Sequence, residues 1–149
     1  MQLDALLHKA GLPATGCHVE IRRICFDSRK VRHGDLFVAI DGVALDGHRF
    51  IGDACRNGAV AIVASRPVPA PPPVVVVPDT RRALSALADA WFDHPARQLQ
   101  ITGITGTKGK TTTSYLLRSI LETAGRRTGL LGTIACELLD TSLPAHTTT

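Results

Sequence analysis

The sequence predicts an α/β protein in two parts: a parallel sheet covered by helices, then the beginning of a second domain entered through a glycine-rich loop. Three observations predict it. Compact apolar runs alternate with stripes of helical spacing, an order that belongs to βαβ units. A string rich in glycine, threonine and lysine sits between an apolar run and a helical stripe from residue 103 onward. The composition, 44% apolar and 20% charged over 149 residues, is that of a globular chain and excludes a disordered or collagen-like one.

The elements follow in order. Leu3, Leu6, Leu7 and Ala10 repeat at helical spacing and stop at Gly11, so a short amphipathic helix opens the chain. After a turn-rich stretch, Leu36-Phe37-Val38-Ala39-Ile40 reads as a buried strand, followed by the turn-like Asp41-Gly42 and Asp46-Gly47. Phe50, Ile51, Ala54 and Cys55 make a helical stripe closed by Asn57-Gly58, and residues 59–64 form the next apolar run. Residues 66–73 hold five of the nine prolines, too many for a helix or a central strand, and predict an extended surface loop.

Val74-Val75-Val76-Val77 is a strand by its β-branched composition. Asp79-Thr80 is placed to cap a helix that reaches Phe92, with Leu84, Leu87, Ala88 and Trp91 as its inner face, and Asp93-His94-Pro95 stops it. A domain boundary is expected near residues 96–99, where a new strand over residues 100–104 leads into the glycine-rich loop. The division is 1–97 and 98–149, and the fifty-odd residues of the second part are too few to bury a complete α/β core.

The charge of +4 and pI near 9.2 raise the question of an anionic partner. The basic residues are scattered, and four Phe, one Tyr and one Trp give no stacking pattern, so nucleic acid is not expected as a partner. Cys17, Cys25, Cys55 and Cys136 form no CxxC pair and read as buried thiols. The six histidines have no metal-ligand spacing. With no export signal, no disulfide pattern and no apolar run near the roughly 18 residues of a membrane helix, a cytoplasmic protein without membrane insertion is expected.

The chemistry lies in Thr102-Gly103-Ile104-Thr105-Gly106-Thr107-Lys108-Gly109-Lys110-Thr111-Thr112-Thr113, ahead of a helix striped by Leu116, Leu117, Ile120 and Leu121. A phosphate chain needs converging backbone N–H donors, glycines that let the backbone come close, and a helix N-terminus whose dipole favours negative charge. Gly106 and Gly109 meet the second need. Lys110 is placed to bridge the outer phosphates, and the Thr111 hydroxyl suits Mg²⁺. The pattern is GxxGxKGKT. The strict GxxxxGK(S/T) form would place a glycine at position 104, which is Ile104. The loop predicts a nucleoside triphosphate and by itself does not separate a kinase, a GTPase and a ligase.

The shifted glycine resembles the phosphate loop of the Mur ligase family. Asp27-Ser28-Arg29-Lys30-Val31, His33-Gly34-Asp35-Leu36-Phe37-Val38-Ala39 and Asp46-Gly47-His48-Arg49-Phe50-Ile51 resemble the N-terminal UDP-sugar domain of its MurE and MurF branches. Gly106-Thr107-Lys108-Gly109, Gly129-Leu130-Leu131-Gly132-Thr133-Ile134 and Thr147-Thr148 are similar to the MurE type.

The resemblance implies an N-terminal UDP-sugar-binding domain over 1–97 and the beginning of a central ATP-binding domain over 98–149. It implies an ATP-dependent ligase that adds the third amino acid to UDP-N-acetylmuramoyl-L-alanyl-D-glutamate through an acyl phosphate, acting as a monomer in full-length form. By the same resemblance Phe26, Ser28, Val43, Ala44 and Leu45 contact the UDP portion, and Thr147 and Thr148 the muramoyl-peptide. Gly106, Thr107, Lys108, Gly109, Lys110, Thr111 and Thr112 hold ATP, with Lys110 and Thr111 in the catalytic roles and Thr111 on Mg²⁺. The 149-residue chain alone is expected to lack ligase activity, since further Mg²⁺-binding residues and the amino-acid-selecting domain of such ligases have no counterpart in it.

Alternatives stay open: another ligase of the family such as MurF, a noncatalytic UDP-sugar or nucleotide-binding module, or an ordinary Asx turn at Asp27-Ser28-Arg29 with no ligand role.

Overall fold

A computed structural model of the chain describes residues 1–42, 45–138 and 141–144. These fall into two compact units, Met1–Gln100 and Ile101–Thr149.

The first unit is a three-layer α/β/α sandwich. Its sheet consists of β1 (Arg23–Cys25), β2 (Asp35–Val38), β3 (Ala61–Ala64) and β4 (Val74–Val76), all parallel and in sequential order. Alternation along each strand sends neighbouring side chains to opposite faces. Leu36, Val38, Ala61, Val63, Val75 and Val77 therefore meet helix α1 (Leu3–Lys9) and helix α3 (Thr80–Trp91) on one face. Phe37, Ala39, Ile62, Ala64 and Val74 meet helix α2 (Ile51–Arg56) on the other. Every residue of β2 and β3 is buried, the pattern of a parallel sheet covered on both sides.

The helix ends are set by side chains. Asp79 accepts the N–H groups of Arg81 (2.9 Å) and Arg82 (3.0 Å) and starts α3 where the sequence predicts. Its innermost side chains are Thr80, Ala83, Leu87 and Ala90, with Leu84 and Trp91 at the flank, so the inner face is rotated from the predicted Leu84-Leu87-Ala88-Trp91. Ala83, Leu87 and Ala90 thus make the buried face against the core, and Leu84 and Trp91 pack at its margin. Asp93 and His94 then take left-handed backbone conformations ahead of Pro95, which ends the helix.

Two expectations need correction. Residues 66–73 do form a loop, but Val68 and Ala70 pack against the same core as α2. The loop is the crossover from β3 to β4 and covers part of the sheet in place of a helix. Among the cysteines only Cys25 is buried, while Cys17, Cys55 and Cys136 are partly exposed, because they sit in a loop, on the outer margin of α2 and in a strand of the second unit.

The second unit holds helix α4 (Lys110–Thr123) and an antiparallel sheet of β5 (Gly129–Leu131), β6 (Ala135–Leu138) and β7 (Thr141–Pro144). The strand predicted over residues 100–104 is absent: the segment is largely exposed and joins no ladder among the described residues. A strand exists only with a partner for its backbone groups, and composition alone cannot provide one.

Helix α4 is anchored by polar contacts. Tyr115 donates to Glu137 on β6 (2.8 Å), and Arg118 pairs with Glu137 and with Glu122. These contacts turn the Tyr115 and Arg118 side toward the sheet, so the predicted stripe is split and Leu116 and Ile120 face solvent, 61% and 65% exposed. No described helix is long and apolar enough to cross a membrane.

The burial difference gives a direct expectation. Phe37→Ala, at a side chain only 1% exposed, should lower unfolding free energy by about 3–5 kcal/mol. Leu116→Ala should change it by no more than about 0.5 kcal/mol. Urea denaturation of the two variants checks both.

Candidate functional site

Because β1 to β4 are parallel, their carboxyl ends share one edge of the first unit, and the loops that leave them are neighbours there. Ligands of open α/β sheets bind outside that edge. The loop after β1 begins with Phe26, whose ring is 61% exposed. Asp27 accepts the N–H of Arg29 (3.1 Å) and pairs with its guanidinium (2.9 Å), closing an Asx turn that opens the 3₁₀ turn Ser28–Lys30. The Arg29 guanidinium holds the Asp27 carboxyl below the usual carboxylate range. Ser28 is buried, and its carbonyl accepts the side-chain amide of Asn57 (2.9 Å).

The turn after β2 is closed at its base. Asp41 and Asp46 bridge as antiparallel partners, and the Gly47 N–H donates to the Ile40 carbonyl at 2.8 Å. A Cβ on Gly47 would stand 2.6 Å from that carbonyl oxygen and 2.7 Å from the Ile40 nitrogen, so glycine alone fits. The Asp41 N–H donates to the Thr80 hydroxyl (3.1 Å), tying the turn to the start of α3. Leu45, next to Asp46, is 58% exposed.

Asp46 lies at the centre of a polar cluster. One carboxylate oxygen accepts the His48 N–H (2.9 Å) and meets His48 Nδ1 (2.6 Å), and the other accepts from Arg66 (2.6 Å). His48 Nε2 accepts the Ser65 N–H at 3.0 Å, with the Ser65 hydroxyl at 3.2 Å. A nitrogen that accepts a backbone N–H carries no proton, so the imidazole proton sits on Nδ1 and donates to Asp46. The Arg66 hydrogen bond, followed by those from the His48 backbone and ring, holds the Asp46 carboxyl far below the usual carboxylate range.

In the second unit residues 106–110 are exposed and feed α4. Gly109 caps the helix with φ +80°, a left-handed conformation, and no side chain closes the N-terminus. The N–H groups of Lys110, Thr111 and Thr112 belong to the first turn and have no intrahelical acceptor. Lys110 curls back so that its ammonium donates to the Gly106 carbonyl at 2.6 Å, which places the charge over the loop. Cβ atoms built on Gly103 and Gly109 would meet nothing within 4 Å. There is no acidic residue in the first turn. The site is open, rich in donors and positive, and it fits a phosphate chain.

The class this defines is an α/β protein whose parallel-sheet unit precedes a unit opened by a glycine-rich, lysine-bearing loop. Two family models match it: "Mur ligase family, catalytic domain" over residues 20–92 and "Mur ligase middle domain" over residues 104–149. The chain belongs to the Mur ligase family.

It is 44% identical over 96% of its length to the UDP-N-acetylmuramoyl-L-alanyl-D-glutamate–2,6-diaminopimelate ligase of Geobacillus thermodenitrificans, and spans 28% of that protein. Among solved structures, a MurF ligase from Thermotoga maritima in complex with ADP matches 68% of the chain, with 23% of its own length covered, at 38% identity and a TM-score of 0.53. A UDP-N-acetylmuramoyl-L-alanyl-D-glutamate–2,6-diaminopimelate ligase structure covers the whole chain, with 31% of its own length matched, at 23% identity and a TM-score of 0.71, a likeness of fold.

Phe26, Ser28 and Leu45 lie on neighbouring loops at the carboxyl edge of the sheet, and residues 106–112 form one continuous loop and helix start. Val43, Ala44, Thr147 and Thr148 lie outside the described residues. Sequence reasoning treated Asp46-Gly47 as a turn and missed its junction with His48, Ser65 and Arg66. The available signal was an Asp followed two residues later by His, the spacing of an Asx cap that can also reach the ring.

The depressed Asp46 carboxyl has a consequence for acid stability. Its folded-state value lies below its unfolded one, so its contribution is complete above roughly pH 4 and is lost as pH falls below that, toward the folded value. Asp46→Asn should lower stability at neutral pH and flatten its fall between about pH 4 and pH 2, which thermal melts across that range will measure.

Proposed function

We propose that this chain supplies the nucleotide-sugar and ATP-phosphate contacts of a MurE-type ligase, which joins the third amino acid to UDP-N-acetylmuramoyl-L-alanyl-D-glutamate in peptidoglycan synthesis. The observation that carries the reading is the pairing, in one chain, of an exposed-aromatic loop edge on a parallel sheet with an open, lysine-covered loop at a helix N-terminus. The relatives at 44–47% identity are named as ligases of this type for 2,6-diaminopimelate, which favours that amino acid here. The MurF alternative has weaker support, 38% identity over 68% of the chain against 44% over 96%. We assign 1–97 to UDP-sugar binding and 98–149 to the beginning of the ATP-binding domain, and the break after Gln100 supports that division.

Each residue then has a task. Phe26 offers an exposed ring and Leu45 an apolar surface to the nucleoside, while the Asx turn at Asp27 holds Ser28 and its backbone beside them. By the family resemblance Val43 and Ala44 are assigned to the UDP portion, and Thr147 and Thr148 to the muramoyl-peptide side. The N–H groups of residues 110–112 and the glycines at 106 and 109 cradle the phosphates, with Thr107 and Lys108 between them. Lys110 swings from the Gly106 carbonyl to the β- and γ-phosphate oxygens and stabilises charge as the γ-phosphoryl passes to the substrate carboxylate. The Thr111 hydroxyl would hold Mg²⁺, which supplies charge neutralisation on the phosphates. Such an enzyme works in the cytoplasm, where ATP and nucleotide-sugars are made, as a monomer and without nucleic acid.

Calorimetric titration of the purified chain tests this. The chain should bind Mg·ATP and UDP-N-acetylmuramoyl-L-alanyl-D-glutamate at separate sites, and Lys110→Ala should weaken Mg·ATP by at least about 10-fold while leaving the nucleotide-sugar unaffected. Binding of neither ligand to folded protein would overturn the reading.

A further inference from the structure

Asp46, His48 and Ser65 have the residue types of a hydrolytic triad, and their distances invite that comparison: 2.6 Å from Asp46 to Nδ1 and 3.2 Å from Nε2 to the Ser65 hydroxyl. The geometry serves another purpose. The Nε2 lone pair accepts the backbone N–H of Ser65 at 3.0 Å, and an imidazole committed to a fixed amide is a poor base for the hydroxyl beside it. The His48 side chain is 3% exposed, so it touches no ligand itself.

The cluster joins two parts of the backbone. Asp46 and His48 follow the turn after β2, while Ser65 and Arg66 directly follow β3, so the hydrogen bonds continue the β2–β3 pairing past the last ladder residues. The ladder itself reaches Ala39, whose N–H donates to the Val63 carbonyl at 2.9 Å. From Ile40 onward the turn is held on one side by Thr80 through Asp41 and on the other by Ser65 and Arg66 through His48 and Asp46. Its described residues pack closely: a Cβ on Gly42 would stand 2.6 Å from the Leu45 carbonyl oxygen, and one on Gly47 would strike Ile40.

An apolar side chain at position 48 would fill the same space without the cost of burying an imidazole. A histidine with both ring nitrogens committed adds direction, because it fixes the distance and orientation between two loop backbones.

We propose that the Asp46–His48–Ser65 junction, braced by Arg66, is a positioning device that sets the turn after β2, and with it Leu45, at the geometry needed for uridine-nucleotide binding. The proposal rests on the reading of this loop edge as the nucleotide-sugar site. His48 is a positioning residue, acting through the turn, and the Thr80 hydroxyl is its counterpart on the opposite side. Each half of the junction can be removed separately. His48→Asn keeps an amide donor near the Nδ1 position and loses the arm to Ser65. His48→Gln keeps an acceptor near the Nε2 position and loses the arm to Asp46. Arg66→Met removes the outer brace at a side chain that is 52% exposed, where the core is not at risk.

The test uses the intact 149-residue chain, with UDP and Mg·ATP titrated separately by calorimetry below the melting temperature of every variant. His48→Asn and His48→Gln should each weaken UDP by about 10-fold, and Arg66→Met by about 3-fold, with Mg·ATP affinity unchanged. A role confined to stability would lower melting temperatures and leave UDP affinity of the folded protein intact, and that result would overturn the proposal. If the His48 variants do not fold, Arg66→Met decides by the same criterion. Failure of the unsubstituted chain to bind UDP would remove the nucleotide-sugar reading and the proposal together, and this is distinguished by needing no variant.

Discussion

A parallel sheet is stable in water only when both of its faces are covered, and the first unit is organised around that requirement. Its connections must be crossovers, so the chain returns over one face or the other after each strand and all carboxyl ends fall on one edge. The buried alternation in β2 and β3 divides the apolar residues into two layers of comparable standing, one under α1 and α3 and one under α2. The candidate nucleotide-sugar site is a by-product of that arrangement. Loops with exposed Phe26 and Leu45 are side by side because β1 and β2 are neighbours running in the same direction.

The second unit obeys a different constraint. Its sheet is antiparallel, none of the residues of α4 is fully buried, and Leu130 is the one buried apolar side chain among its described residues. Orientation of the helix comes from charge and hydrogen bonding at Glu137, which receives Tyr115 and Arg118. The loop ahead of α4 is exposed, Gly109 stands at the helix cap with no side chain closing it, and Lys110 places its charge over the loop by donating to the Gly106 carbonyl.

Much of this was legible in the sequence. Apolar runs and helical stripes placed α1, β2, α2, β3, β4 and α3 within a few residues, because burial on both faces leaves an uninterrupted apolar signature. Asp79 announced its helix, since a capping carboxylate acts locally and needs no tertiary context. The failures were those of tertiary origin. Residues 100–104 have the composition of a strand and join no ladder among the described residues, the inner face of α3 takes Ala83 and Ala90 where Leu84, Ala88 and Trp91 were expected, and α4 is turned by Glu137 on β6. At the candidate site, the glycine-rich loop ahead of α4 was legible because its residues are contiguous. The junction of Asp46, His48, Ser65 and Arg66 was not, because it joins residues separated by 17 to 20 positions that meet only once β2 and β3 have paired.

The proline-rich crossover between β3 and β4 also acts where no folded contact is involved. Five of the eight residues from 66 to 73 have φ fixed by a ring, and several of their neighbours are confined to extended conformations by the proline that follows. The denatured chain therefore explores few shapes across this connection and surrenders little freedom when β4 docks. A helical crossover must be assembled from disorder, whereas this one is already close to its final form before the sheet exists, and the outermost strand is attached at a reduced entropic penalty.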